Sequence, residues 1–282
     1  MKRFKFTVLI LVLVLSVFAL AGCGGTNNST GDAENTADTE NSTPADASLQ
    51  TVLDKGVLRV GMCPEYPPFE SINESNEIVG FDPSLAAEIA KELGIKAECV
   101  NTPWEGLIAG LNNGDFDIIM SAMSPEEATA ATKAVELSDN YYVMSDVIVV
   151  RSDNTDINSK EDLAGKIVGV QDACSAAQAA EDLPNKGIQV AKLNHYTRNA
   201  EAYAELANGR IDALVVSITY ANEQAKNNPG FKVVNDPLHE VGIAVVAKQG
   251  SVALIDKIDE IVAKLKENGT YDKVAVQWLA AD

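Results

Sequence analysis

Asp82-Pro83-Ser84-Leu85-Ala86-Ala87-Glu88-Ile89-Ala90-Lys91-Glu92-Leu93-Gly94 reads as a helix, and the strands around it decide the fold. Asp82 stands in the N-cap position, Pro83 opens the first turn, Leu85, Ile89 and Leu93 recur every fourth residue, and Gly94 closes the element. Val57–Met62 is predicted as the strand before it. After it come a strand at 97–100, a helix at 104–112 and a buried strand at 118–120. Strand, helix, strand in this order implies a parallel doubly wound sheet. A second series follows: strand 167–170, helix 176–181, strand 188–193, helix 199–208 and strand 213–216. Two series predict two α/β lobes.

An internal echo points the same way. Leu111-Asn112-Asn113-Gly114-Asp115-Phe116-Asp117-Ile118-Ile119-Met120 parallels Leu206-Ala207-Asn208-Gly209-Arg210-Ile211-Asp212-Ala213-Leu214-Val215. Each reads as a helix stopped by glycine and followed by a buried strand.

The 282 residues are 46% hydrophobic and 22% charged, so a folded body of about two domains is expected. Asp and Glu number 41 against 22 Lys and Arg, a net charge of -19, and the basic residues are scattered. That leaves no basic face for a nucleic acid. Lys2, Arg3 and Lys5 precede an apolar run from Phe6 to Leu20, the layout of a secretory signal and short for a spanning helix. From Gly24 to Ser48 there is no aromatic or large aliphatic residue. Such a segment buries too little to offset its chain entropy and reads as a tether reaching roughly 25 to 30 Å.

No phosphate-binding loop, His-Glu-x-x-His, Gly-x-Ser-x-Gly or Cys-x-x-Cys is present. His195 and His239, the only histidines, lack metal-ligand spacing and read as surface or loop residues. No metal, cofactor or catalytic residue is expected.

Leu20-Ala21-Gly22-Cys23 resembles the lipobox of bacterial lipoproteins, which implies cleavage after residue 22 and a lipid on Cys23. An acidic body would not adhere to anionic lipid, so the acyl chains would hold it there. Gly56-Val57-Leu58-Arg59-Val60-Gly61, Tyr66-Pro67-Pro68-Phe69-Glu70 and Ile78-Val79-Gly80-Phe81-Asp82 resemble the opening of family-3 solute-binding proteins of ABC importers, the polar-amino-acid branch. Trp104-Glu105-Gly106-Leu107-Ile108, Ser138-Asp139-Asn140-Tyr141-Tyr142, Val168-Gly169-Val170-Gln171, Gly209-Arg210-Ile211-Asp212-Ala213 and Gly269-Thr270-Tyr271-Asp272-Lys273 agree in order. The likeness spans about residues 51–280.

The resemblance implies an α/β, two-lobed periplasmic-binding-protein-like fold, each lobe a doubly wound sheet, joined by two crossover segments near 142–150 and 239–246. Lobe one would be discontinuous, 49–145 plus 240–282, with lobe two at 146–239, a signal at 1–22 and the lipidated tether at 23–48. Such proteins close on a small polar solute by a hinge motion and dock on a permease and its ATPase. A monomer on the outer face of the cell membrane is expected.

Carried over by position, the lobe-one contacts would be Cys63, Tyr66, Trp104, Ser121, Ala122 and Ser124, with Tyr66 and Trp104 as flat walls. Phe69 is expected in the core. Lobe two would offer Cys174, Ser175 and Ser217. Two departures stand out. The Arg that holds an α-carboxylate in relatives falls on Thr129 or Ala131, and the Asp that takes the ammonium is Ser217. Arg198 is the arginine nominated for a carboxylate, and Glu65 or Glu105 for a cation. Ser124-Pro125-Glu126-Glu127 reads as a capping box. Cys63 and Cys99 are open to two readings, a bridge between neighbouring strands or free thiols. Two other classes remain, an exported dehydratase with Glu65 or Glu105 as its acid or base, and a sensing module, although a sensor usually continues into a membrane or signalling segment beyond Asp282.

Overall fold

The computed structural model describes residues 46–279. The signal run, Cys23 and most of the tether lie outside them. The tether expected to reach Ser48 ends earlier, because Ser48–Lys55 forms α1. Asp46 accepts from the Ser48 and Ala253 backbone N–H groups, which ties this start to the body.

In lobe one, α1 leads into β1 (Val57–Met62), then β2 (Glu65–Tyr66), β3 (Glu70–Ile72) and β4 (Ile78–Val79), which form a small antiparallel sheet. There follow α2 (Phe81–Glu92), β5 (Lys96–Asn101), a 3-10 turn at Trp104–Gly106, α3 (Leu107–Asn113), β6 (Ile118–Ile119), α4 (Pro125–Ala131) and β7 (Val135–Leu137). β8 (Tyr142–Arg151) crosses into lobe two, which holds β9 (Ile167–Gln171), α5 (Ser175–Glu181), β10 (Lys192–Tyr196), α6 (Asn199–Ala207), β11 (Ala213–Ser217) and α7 (Ile218–Asn227), and β12 (Phe231–Ile243) crosses back. The chain then returns to lobe one through β13 (Val246–Lys248), α8 (Val252–Glu267) and α9 (Thr270–Leu279).

The two main sheets run β5-β1-β6-β13-β7 and β10-β9-β11-β8-β12. Both place three parallel strands beside an antiparallel one, β13 against β6 and β8 against β11. The echo in the sequence is therefore a repeat of topology, and its side chains show why it recurs. A Cβ on Gly61 in β1 would meet the Phe116 ring at 2.5 Å, and one on Gly169 in β9 would meet Ile211 Cδ1 at 2.5 Å. Asp117 then accepts from the Arg59 N–H at 2.9 Å and Asp212 from the Ile167 N–H at 2.8 Å. In both lobes the glycine-stopped helix delivers one apolar and one acidic side chain onto the central strand.

Antiparallel pairing of β8 and β12, from Tyr142 with Ile243 to Arg151 with Phe231, forms the connection between the sheets. In lobe one, α8 buries Leu254, Ile255, Ile258, Ile261, Val262 and Leu265, the three-and-four spacing of an amphipathic helix. Phe69 is fully buried between Phe81 and Tyr142, in the core as expected.

Two expectations are corrected, and one open reading is decided. Asp82 is not an N-cap: α2 starts at Phe81 after Gly80, and Asp82 is buried, accepting from the Ala122 N–H at 2.8 Å and the Tyr141 hydroxyl at 2.9 Å. The strand expected at 188–193 lies at Lys192–Tyr196, because Ile188 packs into the lobe-two core ahead of the ladder. Cys63 and Cys99 are free thiols; Cys99 pairs in register with Val60, and Cys63 lies beyond the end of β1.

Candidate functional site

The loops after the parallel strands of both lobes face one cleft. Cys63 follows β1, Ser121 and Ala122 follow β6, Cys174 and Ser175 follow β9, and Arg198 precedes α6. Open α/β sheets offer this edge to ligands because the strands end there and helices begin. Two alanines in these loops, Ala122 at φ 48° and Ala173 at φ 54°, adopt the left-handed conformation, a strain that concentrates at functional sites.

Contacts from the two lobes meet across the cleft. The Tyr66 hydroxyl donates to Ser217 Oγ at 2.6 Å, and its ring stacks on Tyr220 at 4.7 Å with an interplanar angle of 9°. Trp104 Nε1 donates to the Ala173 carbonyl at 3.3 Å, Ser175 N–H donates to Glu127 Oε1 at 2.5 Å, and Arg198 lies 3.4 Å from Glu65. Between them remains a cavity of about 70 Å³, room for several waters or one small solute.

The charges around it are mostly acidic. Glu65, Glu70, Glu105 and Glu127 line the cavity, and Arg198 is the one basic side chain among its described lining residues. Burial pushes the Glu127 carboxyl up to about 7, against the opposite pull of the Ser124 and Ser175 N–H groups. Asp146 on β8 is also pushed up to about 7 by burial. Neither of its oxygens meets an aligned hydrogen-bond donor among the described residues, and the nearby Ser175 hydroxyl only softens the effect. Burial, then the neighbouring Asp82, hold Glu70 well above the usual carboxylate range. Ser121 donates to Glu70 Oε1 at 2.8 Å, and the protonated Glu70 carboxyl hydrogen-bonds to the Asp82 side chain. The Cys63 thiol, raised by burial to about 12, is held neutral.

Residues 58–281 match the bacterial extracellular solute-binding proteins, family 3. The chain belongs to that family. This solute-binding protein is 31% identical over 228 residues to the ABC transporter arginine-binding protein 1 of Escherichia coli (strain K12), covering 78% of this chain and 90% of the relative. It is 28% identical to the L-cystine-binding protein TcyA of Bacillus subtilis (strain 168) over 99% of this chain and 98% of the relative. Among solved structures, an ancestral amino acid-binding protein, a precursor of cyclohexadienyl dehydratase, superposes with a TM-score of 0.74 at 34% identity, covering 83% of this chain and all of that one (100%).

Within the binding protein's cleft, Cys63, Tyr66, Trp104, Ser121, Ala122, Cys174, Ser175 and Arg198 come together. Ser124, Thr129 and Ser217 do not line it. Ser124 caps α4 in the expected capping box with Glu127, Thr129 is exposed with its hydroxyl on the Pro125 carbonyl at 2.7 Å, and Ser217 caps α7. Tyr66 stacks one face on Tyr220 and still lines the cavity with Trp104. Glu65 and Glu105 both line the cavity, while Trp278 lies on α9 with its Nε1 on Ser84 Oγ. Neither histidine belongs to a metal-binding cluster among the described residues. Sequence reasoning missed Glu70, Gln171 and Asn199, the last donating to Gln171 Oε1 at 2.5 Å. Glu70 and Gln171 end two of the quoted motifs, Glu70 opening β3 and Gln171 closing β9, and their place in those motifs was the available signal. Glu127 was read only as a cap, because its second partner, Ser175, belongs to the other lobe.

Proposed function

We propose that this chain captures a small polar solute, an amino acid or a related compound, in the cleft between its lobes and presents it to an ABC permease. The cavity lined from both lobes carries this reading, because closing over a solute would bury it against two surfaces at once. A solute with greater affinity for the closed state shifts the population toward it. The family and the names of its relatives support transport over catalysis. We place the lobes at 49–145 with 240–282 and at 146–239, and the docked protein at the outer membrane face, held by lipid on Cys23.

Trp104 tests the cleft. Trp104→Ala is expected to weaken solute binding by about 1 to 2 kcal/mol in calorimetry, the scale of a lost aromatic contact. Quenching or enhancement of its fluorescence should report binding, with Trp278 silent. Unchanged affinity in the variant would move Trp104 out of the site. For the anchor, Cys23→Ser should shift the protein from the membrane fraction to a soluble extract. Retention in the membrane would assign the attachment to another segment.

A further inference from the structure

We propose, taking the opening and closing of the lobes from the reading above, that the chain carries its own latch: Tyr66 of lobe one, clasped by Ser217 and Tyr220 of lobe two, holds the lobes shut independently of what lies between them. Ser217 and Tyr220 do not line the solute cavity, so their role is apart from contact with the solute.

An aromatic run crosses the interface at this point. In lobe one Phe81 meets Phe69 at 6.1 Å and Phe69 meets Tyr66 at 6.1 Å; in lobe two Tyr220 meets Tyr203 at 5.9 Å and Tyr203 meets Phe231 at 5.0 Å. The parallel stack of Tyr66 on Tyr220, at 4.7 Å, joins the two halves. Tyr66 thereby packs against hydrophobic cores of both lobes. Ser217 fixes the clasp, since its Oγ accepts from the Tyr66 hydroxyl at 2.6 Å and from the Tyr220 N–H at 3.4 Å, which seats Tyr220 in the first turn of α7. Stack and hydrogen bond form on one half-buried side chain, so both are lost at once when the lobes part. The other contacts described across the cleft are single: an ion pair of the half-exposed Arg198 and Glu65, which contributes little, a hydrogen bond from Trp104, and one from the Ser175 N–H to Glu127. Solute entry and release therefore wait on the Tyr66 clasp.

The cleft supplies its own reporters. Cys63 of lobe one and Cys174 of lobe two line the cavity with thiols raised by burial, whereas Cys99 lies on β5 outside it. The thiolate is the reactive form, so alkylation of the cleft thiols is slow until the lobes part. The test treats the purified full chain with N-ethylmaleimide and follows each cysteine by peptide mass spectrometry. Ser217→Ala and Tyr220→Leu, both in lobe two, are expected to speed labelling of Cys63 and Cys174 together by about fivefold or more, with Cys99 unchanged. Tyr66→Phe should match Ser217→Ala, and combining the two should add nothing, because both remove one hydrogen bond. Ser217→Thr keeps the hydroxyl and should label as the unaltered protein does. Equally slow labelling in the variants would overturn the latch, as would fast labelling of both cleft thiols in the unaltered protein. Acceleration of Cys174 alone, or of Cys99 as well, would also overturn it, by assigning these residues to the stability of the fold. A thermal-shift panel of amino acids and amines judges solute capture separately, so either reading can fail without the other.

Discussion

Gly80→Ala is expected to destabilise the protein by about 3 kcal/mol or more and to weaken solute binding with it. Gly80 has φ 141° and ψ -172°, a conformation open to glycine alone. An added Cβ would lie 2.2 Å from the Phe69 carbonyl oxygen and 2.9 Å from Glu70 Cα, both main-chain atoms that cannot rotate away. The Phe81 and Asp82 N–H groups bond to the Pro68 and Phe69 carbonyls, so moving this contact displaces the loop that carries Tyr66 and Glu70 into the cleft. Gly94→Ala is the control. It has φ 75° and open space where its Cβ would stand, so the loss there should be only about 1 to 2 kcal/mol. Urea unfolding of both variants reads the difference. Equal losses would show that left-handed strain, and not the clash with the Phe69 main chain, sets the cost.

Stability should also fall by about 3 kcal/mol or more between pH 5 and pH 8, an unusual direction for a protein with so many carboxylates. Asp82 is raised to about 6, and Glu127 and Asp146 to about 7, each chiefly by burial. Raised values mean that the native chain binds more protons than the unfolded one between about pH 4 and 7, so stability is lost as pH rises through that window. Each shifted unit is worth about 1.4 kcal/mol before relaxation. The lowered carboxyls Asp46, Asp162, Asp182 and Asp236 act below that window, and His239, lowered by burial, opposes it as one group against five raised carboxyls, Glu70 and Asp259 included. Asp146 faces Ser217 and His239 in the strand register, and its charge raises Glu127. Removing its charge should relieve part of the cost, so Asp146→Asn is expected to gain about 2 kcal/mol at pH 8 and little at pH 5. A destabilised variant at pH 8 would show that the His239 ring, whose Nε2 lies 3.6 Å from Asp146 Oδ2, is held by that carboxylate.

Much of this architecture is legible from local pattern. The strand and helix series, the glycine stops at Gly114 and Gly209, and the residues that follow each parallel strand all depend on neighbours a few positions apart. Burial periodicity and turn chemistry carry that information. Most of the residues carried over to the cleft arrive there for the same reason: a loop at the carboxyl end of a parallel strand faces the cleft whatever the distant chain does. Family likeness added the site positions of individual residues, which periodicity alone does not contain.

Asp82 and Glu127 mark where local reading stops. Asp-Pro at a helix start looks like a cap, yet Asp82 takes its donors from Ala122 and Tyr141, residues brought beside it by sheet packing. Ser124-Pro125-Glu126-Glu127 is a capping box as its spacing says, but the sequence holds no sign that the same carboxylate reaches Ser175 in the other lobe. By itself the sequence determined the elements, their order, the doubled α/β plan and the loops that bear the site. Only the tertiary structure decided which carboxylates are buried, which are paired and which donors the cleft has left, because those depend on groups far apart in the chain meeting where water is excluded.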